Sequence, residues 1–482
     1  MNPLVFIALL PLIQGLNFIS YDASTDGFLE AARGWNSFAL QSNPDAVGGF
    51  TYNTDSVLKQ CTTMRETLGN AGFEYCSLDS GWSVGDHGDE HGRPYNDTNS
   101  IDIARLTREL APLGVKVGVY LLPGAFCKDM SKTIEGTNIT IADTMSGNNN
   151  GFARCDFDFS MDSNGKFTRA GVQEWHNSVV RFYAQSGISF IKLDFITPGS
   201  PEAGNSSNLP PDNSGSVRAF HNAIQTELPS RSMRLHISWK LERNATYLPI
   251  WNANTDAMRT DQDINQSGAK TLVQWQKVQR AIENYRQWYL AATAGLIDAG
   301  LALRVRPDLD SLLNGNDKSI SGISDVKRQS VMTHWIGAGA PLITGSDMRN
   351  LDHVGMNLYT NQEALDVANF TSYYPMQPVN PGGGNSPAQV QAWIAGVEMS
   401  AQCKSVVVLA NYGPDEGEGG FGTAMSGVQK MSVEFKHFGL GGTWNVRDVW
   451  KATDLGLTIH GPKHGWNTCQ MYGGNVSTMV IS

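Results

Sequence analysis

The sequence lacks basic tracts and, beyond its first residues, long apolar tracts. Its 46 Asp and Glu residues outnumber its 36 Lys and Arg residues, which gives a formal net charge of −10. A chain without a basic cluster has no electrostatic footprint for a polyanion, so the composition argues against a nucleic-acid partner. No run of 18 or more apolar residues follows the N-terminal segment, and we therefore expect no membrane anchor in the mature protein.

Cysteine is also scarce, with six residues in the chain. No two of them stand in the CxxC spacing that is typical of zinc sites, so zinc is not predicted. Cys127 and Cys155 flank a polar loop rich in Asn and Gly. A disulfide between them should stabilise the fold by about 3 kcal/mol. Cys61 and Cys76 could either pair or remain buried thiols.

Two acidic clusters resemble metal sites but fit them poorly. Residues 86–92 (DHGDEHG) form a Gly-rich loop. Residues 156–162 (DFDFSMD) are similar to the start of a calcium-binding loop, but Met161 stands where that loop needs Gly, and no Glu closes it. We predict neither a metal nor another cofactor.

The N-terminus has the features of a secretory signal. Residues 3–13 are almost entirely apolar but too few to cross a bilayer, and small or polar residues follow them at Gln14 and Gly15. We predict a signal peptide at residues 1–15 and a secreted, extracellular protein.

Seven Asn-X-Ser/Thr acceptors support a secretory route and predict N-linked glycans. They are Asn96, Asn138, Asn205, Asn244, Asn265, Asn369 and Asn475. Asn265 is the acceptor that we least expect to carry a glycan, because it lies close to Asp263, a candidate site residue.

Strand-like and helix-like segments alternate along the chain up to about residue 372. Strands are predicted at 33–38, 74–79, 115–121, 188–195, 234–239, 257–263, 300–305 and 340–345. Helices are predicted between them, for example at 55–71, 168–185, 216–228 and 271–292. This pattern predicts an α/β fold, a (β/α)8 TIM barrel over residues 16–372, with its active site at the carboxyl ends of the strands.

Beyond residue 372, short alternating runs between Gly-rich turns replace this pattern. Runs such as 405–410 and 431–435 predict a C-terminal antiparallel β-sandwich domain over residues 373–482. Cys403 and Cys469 both fall in this segment, and we expect them to pair there.

Residues 190–196 (FIKLDFI) combine a buried strand with charges at its end. The apolar residues suit a strand that is buried on both faces. Lys192 and Asp194 are two positions apart, so their side chains lie on the same face of that strand. Charges in such a place are costly unless they meet solvent or a ligand. Asp194 could simply cap the following loop, or it could be a functional carboxylate.

A second strand-like segment, residues 257–264 (AMRTDQDI), ends in Arg259, Asp261 and Asp263. Two strand ends that each join a carboxylate to a cation suit hydrolysis of a glycosidic bond. That reaction needs one carboxylate at the anomeric carbon and a second carboxyl that protonates the departing oxygen. The cations would keep the nucleophile ionised and donate hydrogen bonds to sugar hydroxyls.

Seven short motifs follow one another between residues 33 and about 350. They are RGWNSF at 33–38, YCSLDSGW at 75–82, VKVGVY at 115–120, KLD at 192–194, RTDQD at 259–263, DLD at 308–310 and APLITGSDMR at 340–349. Their order and content resemble glycoside hydrolase family 27, the α-galactosidase and α-N-acetylgalactosaminidase family. The resemblance implies a retaining glycosidase on a TIM barrel that needs no cofactor.

The resemblance also implies roles for individual residues. Asp194 would attack the anomeric carbon, and Asp263 would protonate the leaving oxygen and then deprotonate water. Lys192 and Arg259 would hold ring hydroxyls beside these carboxylates. Asp79 would bind the side of the sugar that carries the 4-OH and 6-OH. The wall of the sugar site would be shaped by Trp35 and Tyr120.

Several positions depart from the family pattern. Ser80 replaces the second Asp of a pair that grips the galactose 4-OH and 6-OH, and its neutral hydroxyl makes weaker hydrogen bonds than a carboxylate. Trp239 and Lys240 end the fifth strand, where the family reads the 2-substituent of the sugar. Lys240 is a cation where an acid is usual, unless the alignment is displaced by one residue. Phe38 replaces the second Trp of the family's GWNSW motif.

The sequence thus predicts a secreted hydrolase that releases terminal α-linked galactose from a carbohydrate substrate by double displacement. β-L-Arabinopyranosides, α-N-acetylgalactosaminides and isomalto-type α-glucosides are alternative substrates for the same mechanism. A different alternative is a carbohydrate-binding relative without catalysis. The altered pair at Asp79 and Ser80 favours that alternative, and the presence of both catalytic Asp residues opposes it.

Overall fold

The computed structural model describes residues 19–200, 208–230, 233–381, 383–396, 404–422, 425, 445–455 and 475–481. The predicted signal peptide, the predicted strand at 431–435 and the predicted pair Cys403 and Cys469 lie outside these residues.

Eight parallel strands form a sheet that closes on itself. Up to residue 350 the strands are β1 (Arg33–Asn36), β2 (Tyr75–Leu78), β3 (Lys116–Leu121), β4 (Ala125–Phe126), β5 (Met145–Asn149), β6 (Arg154–Phe157), β7 (Ile188–Leu193), β8 (Arg234–Ile237), β9 (Ala257–Arg259), β10 (Arg306–Asp308) and β11 (Leu342–Thr344). The parallel sheet has the order β10-β9-β8-β7-β3-β2-β1-β11. Leu312, just past β10, forms a parallel bridge with Thr344, and this bridge closes the barrel.

Helices surround the barrel. They are α1 (Phe38–Ser42), α2 (Thr54–Leu68), α3 (Ile103–Leu110), α4 (Val172–Gln185), α5 (Ser214–Glu227), α6 (Leu248–Asn254), α7 (Trp275–Ala292), α8 (Lys318–Ser321), α9 (Asp325–Gly337), α10 (His353–Thr360) and α11 (Gln362–Thr371). Side-chain caps fix several starts: Asn53 accepts a hydrogen bond from the Ser56 N–H, and Asp102 accepts one from the Arg105 N–H. None of the described helices is both long and apolar enough to span a membrane.

The predicted TIM barrel is confirmed, but the prediction of its seventh strand at 300–305 is wrong. The apolar run there suggested a strand, yet Gly300 lies in a turn with φ of 74°. Leu303 forms a bridge with Tyr21 of the N-terminal segment. The ladder with β9 therefore begins only at Arg306, opposite Ala257.

Between β3 and α4 the chain leaves the barrel over residues 122–171, which we call the β3 excursion. Its strands form a small antiparallel sheet in the order β4-β6-β5. The Cys127–Cys155 disulfide ties the end of β4 to β6, as predicted. A second disulfide, Cys61–Cys76, joins α2 to β2, so these cysteines are not free thiols.

The predicted C-terminal β domain is confirmed, and its sheet is mixed. Its strands are β12 (Gln377–Pro378), β13 (Val390–Ala395), β14 (Val406–Asn411), β15 (Asn445–Asp448), β16 (Thr453–Asp454) and β17 (Asn475–Ile481). The order is β12-β13-β14-β17-β15-β16, and β17 runs parallel to both neighbours while the other pairs are antiparallel. The part of the chain that the structure describes does not include a facing sheet that would complete a sandwich.

Aromatic side chains join this sheet to the barrel. The Trp393 ring of β13 lies 5.0 Å from the ring of His334 on α9 and 5.6 Å from that of Tyr285 on α7. His334 Nδ1 lies 2.9 Å from the Tyr412 hydroxyl. Eight of the ten Trp residues that the structure describes, Trp393 among them, are almost completely buried. Much of the aromatic content therefore builds the core rather than a sugar-binding surface.

Candidate active site

Asp194 lies immediately after β7, at the carboxyl end of the barrel. Its N–H continues the ladder by donating to the Leu121 carbonyl at 2.9 Å. Its Oδ1 accepts a hydrogen bond from the N–H of Phe195 at 2.8 Å, and the residue is 7% exposed. Asp194 therefore caps the following loop and also lies buried at the candidate site. The two interpretations of this residue, as a loop cap and as a functional carboxylate, are compatible.

Lys192 pairs with Asp79, which follows β2. The Lys192 Nζ lies 2.8 Å from Asp79 Oδ2, and both side chains are largely buried. Burial disfavours the ammonium, but the charges of Asp79 and Asp194 outweigh it and raise the pKa of Lys192. The Nζ also lies over the rings of Phe38 and Tyr120, 5.8 and 5.7 Å from their centroids.

Asn36 supports this ion pair, and the sequence analysis missed it. The Asn36 amide donates to Asp79 Oδ2 at 3.3 Å, and its Oδ1 accepts from the Phe38 N–H at 2.9 Å. The backbone of Asp79 is held in place as well, because its N–H donates to the Ser37 hydroxyl at 2.8 Å. The position of Asn36 within the RGWNSF motif was the signal that could have identified it.

Arg259, at the end of β9, is shared by two carboxylates. One of its terminal nitrogens lies 2.8 Å from Asp263 Oδ1 and the other lies 3.2 Å from Asp310 Oδ1. The Arg259 side chain is 2% exposed, whereas that of Asp263 is 28% exposed. Asp310 also accepts the N–H of Ile264 and so anchors the loop that carries Asp263. In the sequence Asp310 stood out only as part of the DLD motif at 308–310, without a role of its own.

The two candidate catalytic carboxyls differ in pKa. Burial raises the pKa of Asp194, Lys192 opposes this, and the charge of Asp263 raises it further. Burial would also raise the pKa of Asp263, but the charges of Arg259 and Lys192 outweigh it, so that the pKa is lowered. Lys192 therefore favours the ionised form of Asp194, as expected, but it does not fully offset the effect of burial.

The remaining predicted substrate-binding residues occupy different depths. Trp35 is fully buried, and its indole N–H donates to the Ser346 carbonyl at 3.0 Å. It therefore packs in the core beneath the site and exposes no surface to a sugar. Tyr120 lies at the end of β3 and is half-buried. Burial, followed by the charges of Asp194 and Asp79, raises its pKa well above the usual value.

Three of the four residues that depart from the family pattern lie at the rim. Ser80 is exposed, and its carbonyl accepts a hydrogen bond from Gln41 at 2.8 Å. Lys240 is half-buried in the loop after β8. Trp239 precedes it, and its ring stacks on Phe195, with centroids 5.3 Å apart and planes 18° apart.

The two acidic clusters of the sequence form hydrogen bonds within the protein. Asp89 Oδ1 accepts the N–H groups of His91 and Arg93, and Asp86 pairs with His87 at 2.7 Å. Within the described residues no group of three His, Cys, Asp or Glu side chains is arranged to hold a metal.

Comparisons with known proteins bear on the whole chain. No protein-family model matches the sequence. The chain is 42% identical over 465 residues to alpha-galactosidase 3 of Hypocrea jecorina, covering 94% of this chain and 71% of that protein.

Two solved structures share the fold. A family 27 β-L-arabinopyranosidase from Geobacillus stearothermophilus matches with a TM-score of 0.68 and 20% identity, over 89% of this chain and 92% of that one. Alpha-galactosidase I of Mortierella vinacea matches with a TM-score of 0.58 and 16% identity, over 90% of this chain and 95% of that one. At these identities the likeness shows the fold alone.

Proposed function

This chain belongs to glycoside hydrolase family 27, the α-galactosidase family, and on that premise we propose that it is a secreted, retaining hydrolase of terminal α-linked galactose. The observation that carries the proposal is the arrangement at the carboxyl end of the barrel. Two carboxyls, Asp194 after β7 and Asp263 after β9, are close enough for the charge of Asp263 to raise the pKa of Asp194. Retaining hydrolysis needs such a pair on either side of the scissile bond.

In the first step Asp194 attacks the anomeric carbon and forms a bond to it. The bond from that carbon to the leaving oxygen breaks, and Asp263 gives this oxygen its proton. In the second step Asp263 takes a proton from water, the water oxygen bonds to the anomeric carbon, and Asp194 is released as a carboxylate. Two inversions give a product with the configuration of the substrate.

The low pKa of Asp263 in the free protein must rise for the first step. We assign this change to the sugar, whose hydroxyls compete for Arg259 and weaken its hold on Asp263. Coulomb repulsion between the two carboxylates is mutual. Once Asp194 is esterified, its negative charge is gone and the pKa of Asp263 falls again. Asp263 is thereby adjusted to act as a base in the second step.

The ion pair between Lys192 and Asp79 is proposed to bind galactose hydroxyls. The Asp79 carboxylate accepts, and the Lys192 ammonium donates, so neighbouring hydroxyls such as the 4-OH and 6-OH can be held by both. Both groups are buried and already paired, which fixes their geometry before the substrate arrives.

A second candidate substrate is a β-L-arabinopyranoside, and Ser80 is the observation that favours it. This sugar has the ring of galactose without C6, so it does not need the second carboxylate that Ser80 replaces. The exposed side chain of Ser80 leaves the rim open on this side.

Secretion and N-glycosylation are part of the proposal. Asn138, Asn244 and Asn369 are exposed acceptors, so an oligosaccharide on them would project into solvent. Asn265 is 4% exposed and its amide donates to the Ser42 hydroxyl at 2.8 Å, which leaves no room for a glycan. Expression in a eukaryotic host, with mass measurement before and after enzymatic deglycosylation, tests this: glycans at Asn265 alone would contradict it.

The deciding experiment measures turnover of nitrophenyl α-galactoside, β-L-arabinopyranoside, α-N-acetylgalactosaminide and α-glucoside. We expect the highest kcat/KM with α-galactoside, and NMR of the first-formed product should show the α-anomer. Preference for the arabinopyranoside would select the second candidate. No turnover of any glycoside by folded protein would overturn the proposed function.

A further inference from the structure

Three aromatic rings from three separate loops form a row beside Asp194, which we call the aromatic row. Phe152 belongs to the β3 excursion, Phe195 follows the candidate nucleophile, and Trp239 follows β8. The centroids of Phe152 and Phe195 are 4.7 Å apart, and those of Phe195 and Trp239 are 5.3 Å apart. Each of the three residues is partly exposed, so the row is not a closed piece of the core.

The backbone is strained where it presents Phe195. This residue has φ of 54°, which is rare for a bulky side chain. Its N–H donates to Asp194 Oδ1 at 2.8 Å, and its carbonyl accepts from the Asn213 amide at 3.0 Å. The ring of Phe195 is therefore held in a fixed relation to the carboxylate that is proposed to attack the sugar.

Trp239 is held in a comparable way. Its φ is 108°, and its carbonyl accepts the N–H of Leu241 at 3.0 Å. The preceding residue, Ser238, donates its N–H to the Leu193 carbonyl at 2.9 Å and so continues the ladder of β7. The loop after β8 is thus fixed directly against the loop that carries Asp194 and Phe195.

Phe152 is brought to the row by the β3 excursion. Its N–H donates to Asn150 Oδ1 at 3.0 Å. The next residue, Ala153, has φ of 56° and accepts the N–H of Cys127, whose disulfide to Cys155 closes this turn. Strained positions persist only where the surroundings over-determine them, and they concentrate at functional sites. Here three such positions converge on one row of partly exposed rings.

The chemistry of the row differs from that of the galactose site. Lys192, Asp79 and Arg259 offer charges that suit the hydroxyls of the reacting sugar, whereas the row offers only aromatic surface. Rings of this kind stack on the apolar face of a pyranose. Because Phe152 stands on an excursion from the barrel, the row also extends further out than the strand ends.

We propose that the aromatic row binds the leaving group, and that its ligand is a second pyranose ring linked to the galactose. Phe152 then determines which leaving groups the protein prefers. Phe195 joins this aromatic surface to Asp194, the proposed nucleophile, through its ring contact and its backbone hydrogen bond. The inference rests on the proposed hydrolysis of galactosides.

The test compares two substrates that share galactose and differ in the leaving group. α-Galactosyl fluoride leaves as fluoride and has no second ring, whereas α-galactosyl-(1→6)-glucose has one. For Phe152→Ala the ratio of kcat/KM for the disaccharide to that for the fluoride should fall about five- to tenfold. The loss should appear mainly in KM. Phe152→Tyr, which keeps the ring, should retain the wild-type ratio within about twofold.

Two further variants make the result specific. Phe152→Leu keeps apolar volume in the excursion but no ring, so its ratio should also fall, and it carries the test if the Ala variant is unstable. Phe167→Ala is the matched control, because Phe167 is a partly exposed ring of the same excursion that contacts Phe159 instead of the row. Its ratio should equal that of the wild type.

The outcomes separate this inference from the proposed function. If the wild type hydrolyses the fluoride but folded Phe152→Ala and Phe152→Leu keep the wild-type ratio, the inference is wrong and the proposed function stands. An equal fall of the ratio in Phe167→Ala would also overturn it, because the effect would then belong to the excursion as a whole. Wild-type protein that turns over neither substrate would overturn both.

Discussion

Asp263 accepts a hydrogen bond from Arg259 at 2.8 Å, so the carboxyl that is proposed to transfer protons is held as an anion in the free protein. The same guanidinium lies 3.2 Å from Asp310. Burial raises the pKa of Asp310 to about 6, although Arg259 opposes this. The pKa of Asp263 therefore depends on how strongly Asp310 also interacts with the Arg259 guanidinium.

Asp310→Asn should lower the pKa of Asp263 further. The variant removes a carboxylate that competes for Arg259, and Asn tolerates the φ of 81° found at this position. In the free protein Asp263 has the lower pKa of the two carboxyls, so it governs the rising limb of the kcat/KM profile. A further decrease should move that limb to lower pH by about 0.5 to 1 pH unit and lower the maximum of the profile. A pH–rate profile on a galactoside with a poor leaving group measures the shift, and movement toward higher pH would contradict this account.

The two catalytic carboxyls should give different mutant phenotypes. Asp194→Asn should abolish turnover of every glycoside, since an amide does not attack the anomeric carbon as a carboxylate does. Asp263→Asn should be severe on poor leaving groups and milder on activated aryl glycosides, which need little protonation. Steady-state kinetics on both substrate types measure this, with Asp298→Asn as an exposed Asp control. Near-normal activity of Asp194→Asn would refute the assignment of the nucleophile.

Ser80→Asp tests the altered sugar contact. If Ser80 stands where the family has its second Asp, a new carboxylate would form a charge-assisted hydrogen bond to the galactose 4-OH or 6-OH. The value of kcat/KM on α-galactosides should then rise by up to roughly tenfold, which is about 1.4 kcal/mol of transition-state binding. A fall in activity on the preferred substrate would indicate a sugar that needs the space at Ser80. Unchanged preference among galactoside, arabinopyranoside and glucoside would show that Ser80 does not face the sugar.

The buried carboxyl of Asp256 should make the free energy of unfolding decrease as the pH rises. This buried carboxyl accepts the N–H of Leu235 at 2.7 Å and a hydrogen bond from the Ser24 hydroxyl. Burial, together with the charge of Asp26, raises its pKa to about 7. A raised pKa means that the folded state binds the proton more tightly, so this contribution is complete below about pH 4 and is lost as the pH rises through 7.

Urea unfolding at pH 5 and pH 8 measures that loss. For the wild type the free energy of unfolding should fall by on the order of 2 kcal/mol through this group alone. Asp256→Asn resembles the protonated form at every pH, so the variant should show a smaller fall. A wild type and variant with the same pH dependence would show that Asp256 does not keep its proton.

Short motifs made much of the site predictable. Asp79, Lys192, Asp194, Arg259 and Asp263 all lie at or just beyond strand ends, as the sequence predicted, because a strand end and its charged residues are encoded within a few positions. The seventh strand was placed wrongly for a related reason. Residues 300–305 have a strand-like composition, but the long-range bridge between Leu303 and Tyr21 takes the place of pairing within the barrel.

The depth of the aromatic residues was not predictable in this way. Trp35 belongs to the RGWNSF motif, yet it is completely buried. Phe152 lies outside every motif, and it contacts Phe195 from the β3 excursion, which the Cys127–Cys155 disulfide also closes. Exposure depends on what the rest of the chain places around a residue, and a local pattern does not contain that information.

The sequence by itself determined seven of the eight barrel strands, the barrel and the identity of the charged residues, because apolar periodicity and short motifs are local. Only the tertiary structure decided which charges are partners. Lys192 is two positions from Asp194 in sequence, but its ammonium lies against Asp79, which is 113 positions away. Arg259 is likewise divided between Asp263 and Asp310. These pairings arise where parallel strands bring their carboxyl ends to one rim, and burial there sets the pKa of each group.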